Sequence, residues 1–293
     1  MLWILMTAAA APLQVARNAL QRGLVGDAGP WGATLVRFLF GLPFSLAILA
    51  VVALRTQGAA PQLSAAYFEA VFLGAFAQVG ATAALLVAMR RAGFAVATTM
   101  QQSSLPLSAL FGWLALGDRI AAQAWVGIAV ASAGLVVLSW PKSEQLRGAA
   151  LGSLLGLASG AAFAVALNAY RQAGLALEPH HPIYAGAASV CLAQTIQALG
   201  LLTALAIWRP ASLSAIAQSW RPSLGAGFFG AAASACWFAA LAMAPAGPVR
   251  AIGVIEAPIA AAVGRRLLRE RLSARQLTGG AVTAVGVIVT ALA

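Results

Sequence analysis

Acidic side chains are nearly missing from this chain. Seven Asp and Glu stand among 293 residues, against 18 Lys and Arg, and charged residues of either sign make up only 9%. A soluble domain carries about 25%, so an ordinary water-facing surface is excluded. Histidine is scarcer still: His180 and His181 are adjacent in a proline-flanked stretch, without the helical spacing of a metal-binding pair. The two cysteines, Cys191 and Cys236, lie inside apolar runs, so neither a thiolate metal site nor a disulfide framework can be read. No HExxH, GxSxG, P-loop or paired-aspartate pattern occurs, which removes the common signatures of metalloproteases, serine hydrolases and NTPases. No cofactor is expected, and an enzyme is not the reading the residues favour.

What fills the chain is apolar, at 61% of residues. A helix needs about 20 apolar residues to cross the hydrocarbon core of a bilayer. Ten such stretches can be placed at roughly 2–22, 31–54, 67–89, 94–116, 122–140, 148–172, 183–208, 221–243, 247–267 and 273–293. Spans of a β-barrel would read as about ten alternating residues, whereas these runs are continuous and rich in Ala, Leu and Gly. The expected fold class is an all-α integral membrane protein of ten transmembrane helices. The net charge of +11 gathers beside predicted loops, the pattern of topology determinants and headgroup anchors. Membrane lipids are therefore expected partners, and nucleic acid is not. Met1–Ala11 resembles a signal peptide but lacks its basic n-region, so this segment is expected to remain as the first helix.

Turn signals fall at Gly26–Pro30, Gly58–Pro61, Trp140–Glu144 and Glu178–Pro182. Six of the eight tryptophans (Trp3, Trp31, Trp125, Trp140, Trp208 and Trp220) lie near predicted helix ends, where an interfacial belt sits. Trp113 is near an end as well, and Trp237 alone is well inside a span. Small residues recur at helix-contact spacing in Gly152, Gly156 and Gly160, in Gly127 with Ala131, and in Gly280 with Ala284.

The chain nearly repeats itself. At an offset of 152, Asp118 meets Glu270, Arg119 meets Arg271, Gly127 meets Gly279, Gly134 meets Gly286 and Pro106 meets Pro258; at an offset of 150, Val15–Ala19 meets Val165–Ala169. The expected halves are residues 1–141 and 142–293, with the seam around Pro141. Five helices in each half make the second copy enter the membrane from the opposite side, and inverted repeats of this kind occur in transporters, with the substrate site at the repeat interface. Counting basic residues on alternate loops gives twelve on one side and four on the other, which by the positive-inside rule puts both termini outside the cytoplasm.

The matched prolines bear on mechanism because an in-helix proline removes a hydrogen bond and crowds the carbonyl four residues back. Pro106 is expected to free the carbonyl of Gln102, and Pro258 that of Val254. Interrupted helices at corresponding places in two halves are pointers to a transport site, so both prolines are read as hinges. Around them lie Thr98, Thr99, Gln101, Gln102, Ser103 and Ser104, and on the ninth span Glu256. Gln14 with Asn18, and Gln78 with Thr82, are i,i+4 pairs that each present one polar face. Glu256, the one acid deep in a span, is read as a proton carrier, as a partner for a substrate ammonium, or as a structural mate of Arg250. Arg37 is a candidate for a substrate carboxylate or for snorkelling; Trp237 for stacking on a ligand or for packing. The candidate cavity residues are Gln14, Asn18, Gln78, Gln101, Gln102, Trp237 and Glu256.

Ile255–Ile259 followed by Arg269–Leu272 and Gly279…Gly286 resembles the end of an EamA repeat of the drug/metabolite transporter superfamily. Ser104–Leu107, Leu116–Ile120 and Gly127…Gly134 repeat it, and Arg37–Phe38 resembles the arginine-aromatic pair of that family's second helix. The resemblance implies two inverted five-helix repeats around a central cavity, and a secondary transporter of the bacterial inner membrane. Size and layout are most similar to the bacterial aromatic amino acid exporters of the superfamily, related to carriers of threonine, homoserine or methyl viologen. A small-molecule substrate and a coupling proton are the partners implied. The family keeps both termini in the cytoplasm, against the charge count; Asp118 also departs from its usual glutamate. The rival readings are a membrane scaffold, an intramembrane enzyme, or a carrier of another metabolite class. Sequence leaves the oligomeric state open, with a monomer allowed.

Overall fold

The computed structural model describes residues 1–139, 150–256, 259 and 274–293. Among them there is no strand, and the chain is an all-α membrane protein. Its helices are α1 (Leu2–Leu39), α2 (Leu42–Arg55), α3 (Ala65–Gln101), α4 (Ser104–Leu116), α5 (Ala122–Ser139), α6 (Ala150–Leu177), α7 (Pro182–Trp208), α8 (Pro210–Gln218), α9 (Trp220–Met243), α10 (Ala246–Gly253) and α11 (Ala274–Ala291). The predicted seam at Pro141 and the motif at 268–272 lie outside the described residues.

Local chemistry sets most boundaries. α1 is two helical segments meeting at Gly29, where φ is 69° and ψ 172°. Glycine reaches that region without a Cβ penalty, and Pro30 disfavours helical backbone in the residue before it. The second segment continues past a turn at Phe40–Gly41 into α2, giving a 25-residue span from Trp31 to Arg55. Pro43, which has no N–H to offer the carbonyl of Leu39, accounts for the turn. Gly117 closes α4 in the left-handed conformation, φ 66°. Two expectations shift. α3 runs unbroken through Arg90 and Arg91, where a loop was expected, because that stretch holds no proline and no breaker stronger than Gly93. The short helix α8 follows Trp208, begun by Pro210, where no element was expected.

The described residues cluster into two compact units. The first takes Met1–Ala75 and Tyr170–Met243, the second Phe76–Ala169 and Ala244–Ala293. Each draws on chain from both sides of residue 141, so packing groups the helices differently from their order in the repeat.

In the first unit α1 packs along α9, and α9 along α7. The approach is close because glycines sit in the contacts. A Cβ at Gly186 would come within 2.8 Å of Ala239 Cα, and one at Gly227 within 2.8 Å of the Gly41 amide nitrogen. The buried positions are filled largely by alanine, whereas Leu54, Ile207 and Trp208 are exposed. Lipid is as apolar as leucine, so large apolar side chains gain little by turning inward; close backbone packing and interhelical hydrogen bonds hold such units instead.

The second unit contains a tight seam between α5 and α11. A Cβ at Gly127 would stand 2.8 Å from the Gly286 carbonyl oxygen, one at Gly286 2.7 Å from that of Gly127, and one at Gly134 2.9 Å from that of Gly279. Gly127 and Gly279 are repeat mates, as are Gly134 and Gly286. Each residue therefore touches the mate of the other, the reciprocal contact that a two-fold relation produces. Since 127 lies against 286 and 134 against 279, the two helices run antiparallel, as inversion of the repeat requires. Gly280, expected to contact a neighbouring helix together with Ala284, meets only Leu138 Cδ1 at 3.6 Å. The seam uses Gly279 and Gly286 instead, since these two, seven residues apart, lie on one helix face.

Candidate functional site

The helix interruptions carry the clearest repetition. Between α3 and α4 the Gln102 amide donates to the Thr99 carbonyl at 3.1 Å, that of Ser103 to Met100 at 3.2 Å, and that of Leu107 to Ser103 at 3.1 Å. At and beyond the end of α10, Val254 donates to Ala251 at 3.4 Å, Ile255 to Ile252 at 3.2 Å, and Ile259 to Ile255 at 3.2 Å. These are the same three bonds displaced by the repeat offset. At each place the ladder tightens to i→i+3 bonds and i→i+4 bonding then resumes, a local device that in mid-helix marks hinges. Pro106 falls in the first turn of α4, where a missing N–H costs least. Gln102's carbonyl, expected to be freed, accepts instead from Leu105 N at 3.0 Å. Pro258 lies outside the described residues.

Beside the interruptions, Arg250 joins two of the sequence candidates. Its Nη1 donates to Glu256 Oε1 at 3.2 Å and its Nη2 to Gln102 Oε1 at 3.4 Å. Arg250 is buried and Glu256 half-buried, so the pairing with Arg250, one of three sequence readings of Glu256, is the one the geometry bears out. A buried cation must be paired, since its desolvation costs several kcal/mol; Glu256 and Gln102 meet that need. The hydroxyl oxygens of Ser103 and Ser104 are buried without a hydrogen-bond partner among the described residues, so this polar cluster retains unused bonding capacity. Gln101 is half-buried, and its carbonyl abuts Gly160 on α6. Gln78 is half-buried one turn before Thr82, whose hydroxyl donates to the Gln78 carbonyl at 2.9 Å.

In the first unit the indole Nε1 of Trp237 on α9 donates to Gln14 Oε1 on α1 at 3.1 Å. Two candidates from distant parts of the sequence thus meet, and the indole has the partner a buried tryptophan needs. Asn18, one turn further on, accepts from Arg17 Nε at 3.2 Å and Nη2 at 2.7 Å. Arg17 is buried, and sequence reading passed over it because it lies near the predicted end of the first span, where arginines commonly snorkel. The available signal was its position one residue before Asn18 on the polar face. Opposite, α9 carries Gly230, at which a Cβ would meet Arg17 Cδ at 3.3 Å and Arg37 Cγ at 3.4 Å. Both arginine stems thus converge on a spot where α9 has no side chain.

Other interior glutamines serve as interhelical ties, as expected for single residues of this type. Gln194 Oε1 accepts from Ser45 Oγ at 2.5 Å. Gln197 Nε2 donates to the Ala75 carbonyl and to Tyr170 Oη, both at 3.3 Å. Outside the spans, Glu178 fastens the loop before α7 to the loop before α3. It accepts from the Ala60 amide at 2.8 Å and the His180 amide at 3.1 Å, with His181 Nδ1 at 3.5 Å. The Ala60 amide, ahead of the other donors, holds the Glu178 carboxyl below the ordinary carboxylate range.

The candidate set therefore divides. Gln14, Asn18 and Trp237 lie in the first unit; Gln78, Gln101, Gln102, Pro106 and Glu256 lie in the second. Among the described residues no group of three His, Cys, Asp or Glu side chains could hold a metal ion.

A search of curated proteins finds no match to this chain. A solved structure, titled only as the crystal structure of a protein, has 20% sequence identity and a TM-score of 0.73 over 99% of this chain and 96% of its own. At that identity the likeness establishes the fold alone. The model of the EamA-like transporter family matches residues 1–140. That match places the chain in the drug/metabolite transporter superfamily, and the second half repeats the interrupted-helix bonds of the matched half.

Proposed function

We propose that the chain is a secondary transporter that exports or exchanges small amphipathic metabolites, aromatic amino acids first among them, across the bacterial inner membrane by alternating access. Threonine, homoserine and methyl viologen belong to the same range of cargo. The observation that carries this reading is the matched pair of interruptions at Gln102–Ser103 and Val254–Ile255, flanked by the Arg250, Glu256 and Gln102 cluster. A static scaffold has no use for two helices broken at equivalent places beside a charged interior group, whereas a carrier needs points where backbone dihedrals can change. A coupling proton belongs to this reading as a partner, and the charged pair of Arg250 and Glu256 lies beside the interruption that must move.

The test is counterflow in liposomes. Purified protein is reconstituted with unlabelled amino acids inside, and uptake of labelled phenylalanine, tryptophan, threonine and leucine is followed. Saturable exchange with the aromatic substrates ahead supports the reading. Absence of exchange for all four, with folded protein verified, overturns the amino acid assignment.

A further inference from the structure

Among the buried polar atoms of the first unit without a hydrogen-bond partner among the described residues are two nitrogens that can only donate, Arg37 Nε and Gln194 Nε2. Both lie along one stretch of chain. A Cβ at Gly41 would stand 3.4 Å from Gln194 Nε2, and Gly41 is one helical turn beyond Arg37, so both donors are held at adjacent turns of one segment. Gln194's oxygen is already engaged by Ser45, which fixes its amide nitrogen toward the unsatisfied side. α9 closes on this segment through Gly227 at Gly41 and Gly230 at Arg37, so no α9 side chain takes up the donors there. The acids whose side chains are described in this unit, Glu69 and Glu178, do not supply an acceptor. Glu69 is exposed on α3, and Glu178 is held in its loop by backbone amides.

Unmet donors in a buried site cost free energy in the empty protein, and a buried cation costs more. A structure that retains both is poised for an acceptor that arrives from outside. Resting on the transport reading above, we propose that Arg37 and Gln194 form the subsite for the carboxylate of the transported metabolite. Arg37 contributes the charge and Gln194 a directional amide donor. A carboxylate fits because its two oxygens can take one donor each. The substrate class is then a small carboxylate, and an aromatic amine or amide lacking that group is discriminated against. Arg17, whose stem also reaches Gly230, adds positive potential near the subsite.

The test is a binding measurement that does not depend on transport. Thermal unfolding of the detergent-solubilised full chain is followed against phenylalanine, 3-phenylpropionate, phenylalaninamide and phenethylamine. The two carboxylates are expected to raise Tm, and the amide and the amine to bind at least about tenfold more weakly, the loss expected of a charge-assisted hydrogen bond. Arg37→Gln should remove the carboxylate response. Should that variant fail to fold, Gln194→Glu serves instead: it places a carboxylate beside Arg37 within the protein, so the variant should melt above the wild type yet no longer respond to 3-phenylpropionate. Equal shifts from amide and acid, no shift from any of the four, or a carboxylate response that survives in Gln194→Glu would overturn the proposal. Counterflow separates the two readings. Phenylalanine exchange that is unchanged in both variants sinks the subsite and leaves the carrier standing, whereas carboxylate binding that depends on Arg37 without any amino acid exchange sinks the carrier assignment alone.

Discussion

Gly286 on α11 gives the sharpest test of the packing argument. A methyl group there would lie 2.7 Å from both Ala131 Cα and the Gly127 carbonyl oxygen, against a comfortable separation of about 3.5–4.0 Å. Those atoms are backbone, so no rotamer change relieves the clash and α5 and α11 must move apart by roughly 1 Å, opening contacts along the seam. Overpacking of this kind costs typically 1–3 kcal/mol, set against a helix-propensity gain of about 1 kcal/mol for replacing glycine. Gly286→Ala is expected to lose up to about 2 kcal/mol net. Gly280→Ala is the control on the same helix: its methyl group would meet Leu138 Cδ1 at an ordinary 3.6 Å, so it should be neutral or slightly stabilising. Because Gly127 and Gly286 face each other, adding Gly127→Ala should cost less than it does alone, the helices having already separated. The assay is thermal unfolding in mild detergent of the four proteins and the wild type. A Gly286→Ala protein as stable as Gly280→Ala, or strictly additive losses in the double variant, would refute the seam as described.

Pro106→Ala should slow counterflow more than it lowers the yield of folded protein, since it permits the i→i+4 bond to Gln102 that the hinge now lacks; equal counterflow rates at matched protein would remove the hinge role. Glu256→Gln retains the shape and an acceptor for Arg250 while losing the negative charge opposite that buried cation, so counterflow at matched protein should fall; an unchanged rate would reduce the Arg250 pair to structure. Trp237→Phe deletes the donor to Gln14 while keeping an aromatic ring, and should cost about 1 kcal/mol or slightly more in thermal unfolding. The Glu178 carboxyl is held below its ordinary range by backbone donors, so its contribution to the folded loops is present above the ordinary carboxylate range and lost as pH falls through the lowered value. Limited proteolysis should accordingly cut the segment before α3 more readily in strong acid, and Glu178→Gln should be susceptible already at neutral pH.

The spans were legible because apolar length is a one-dimensional property that a bilayer selects directly. Gly29–Pro30 announced a break for the same reason: both residues act through their own backbone. The interruption at Gln102–Ser103 was legible from Pro106, although the proline sits in the first turn beyond the break and the carbonyl expected to be free is taken by Leu105. Partners were much less legible. Gln14 and Trp237 were each singled out, but the bond between them depends on the rotation of α1 and α9 about their axes, which no local pattern sets. Gly280 was chosen over Gly279 for a related cause: adjacent glycines point about 100° apart on a helix, and only the partner helix decides which is used. Arg37 was singled out but Arg17 was not, since an arginine near a span end commonly snorkels, and their shared contact at Gly230 comes from a missing side chain on α9.

The glycine seam has a mechanical consequence for the second unit. Backbone laid on backbone freezes almost no side-chain rotamers, so the entropy that usually opposes close contact is nearly absent there, and the pair should behave as a stiff post. The same unit holds two places where the helical ladder is locally rewound, at Gln102–Ser103 and Val254–Ile255. Strain introduced into this unit will collect at those compliant joints, and the post will carry it between them without bending.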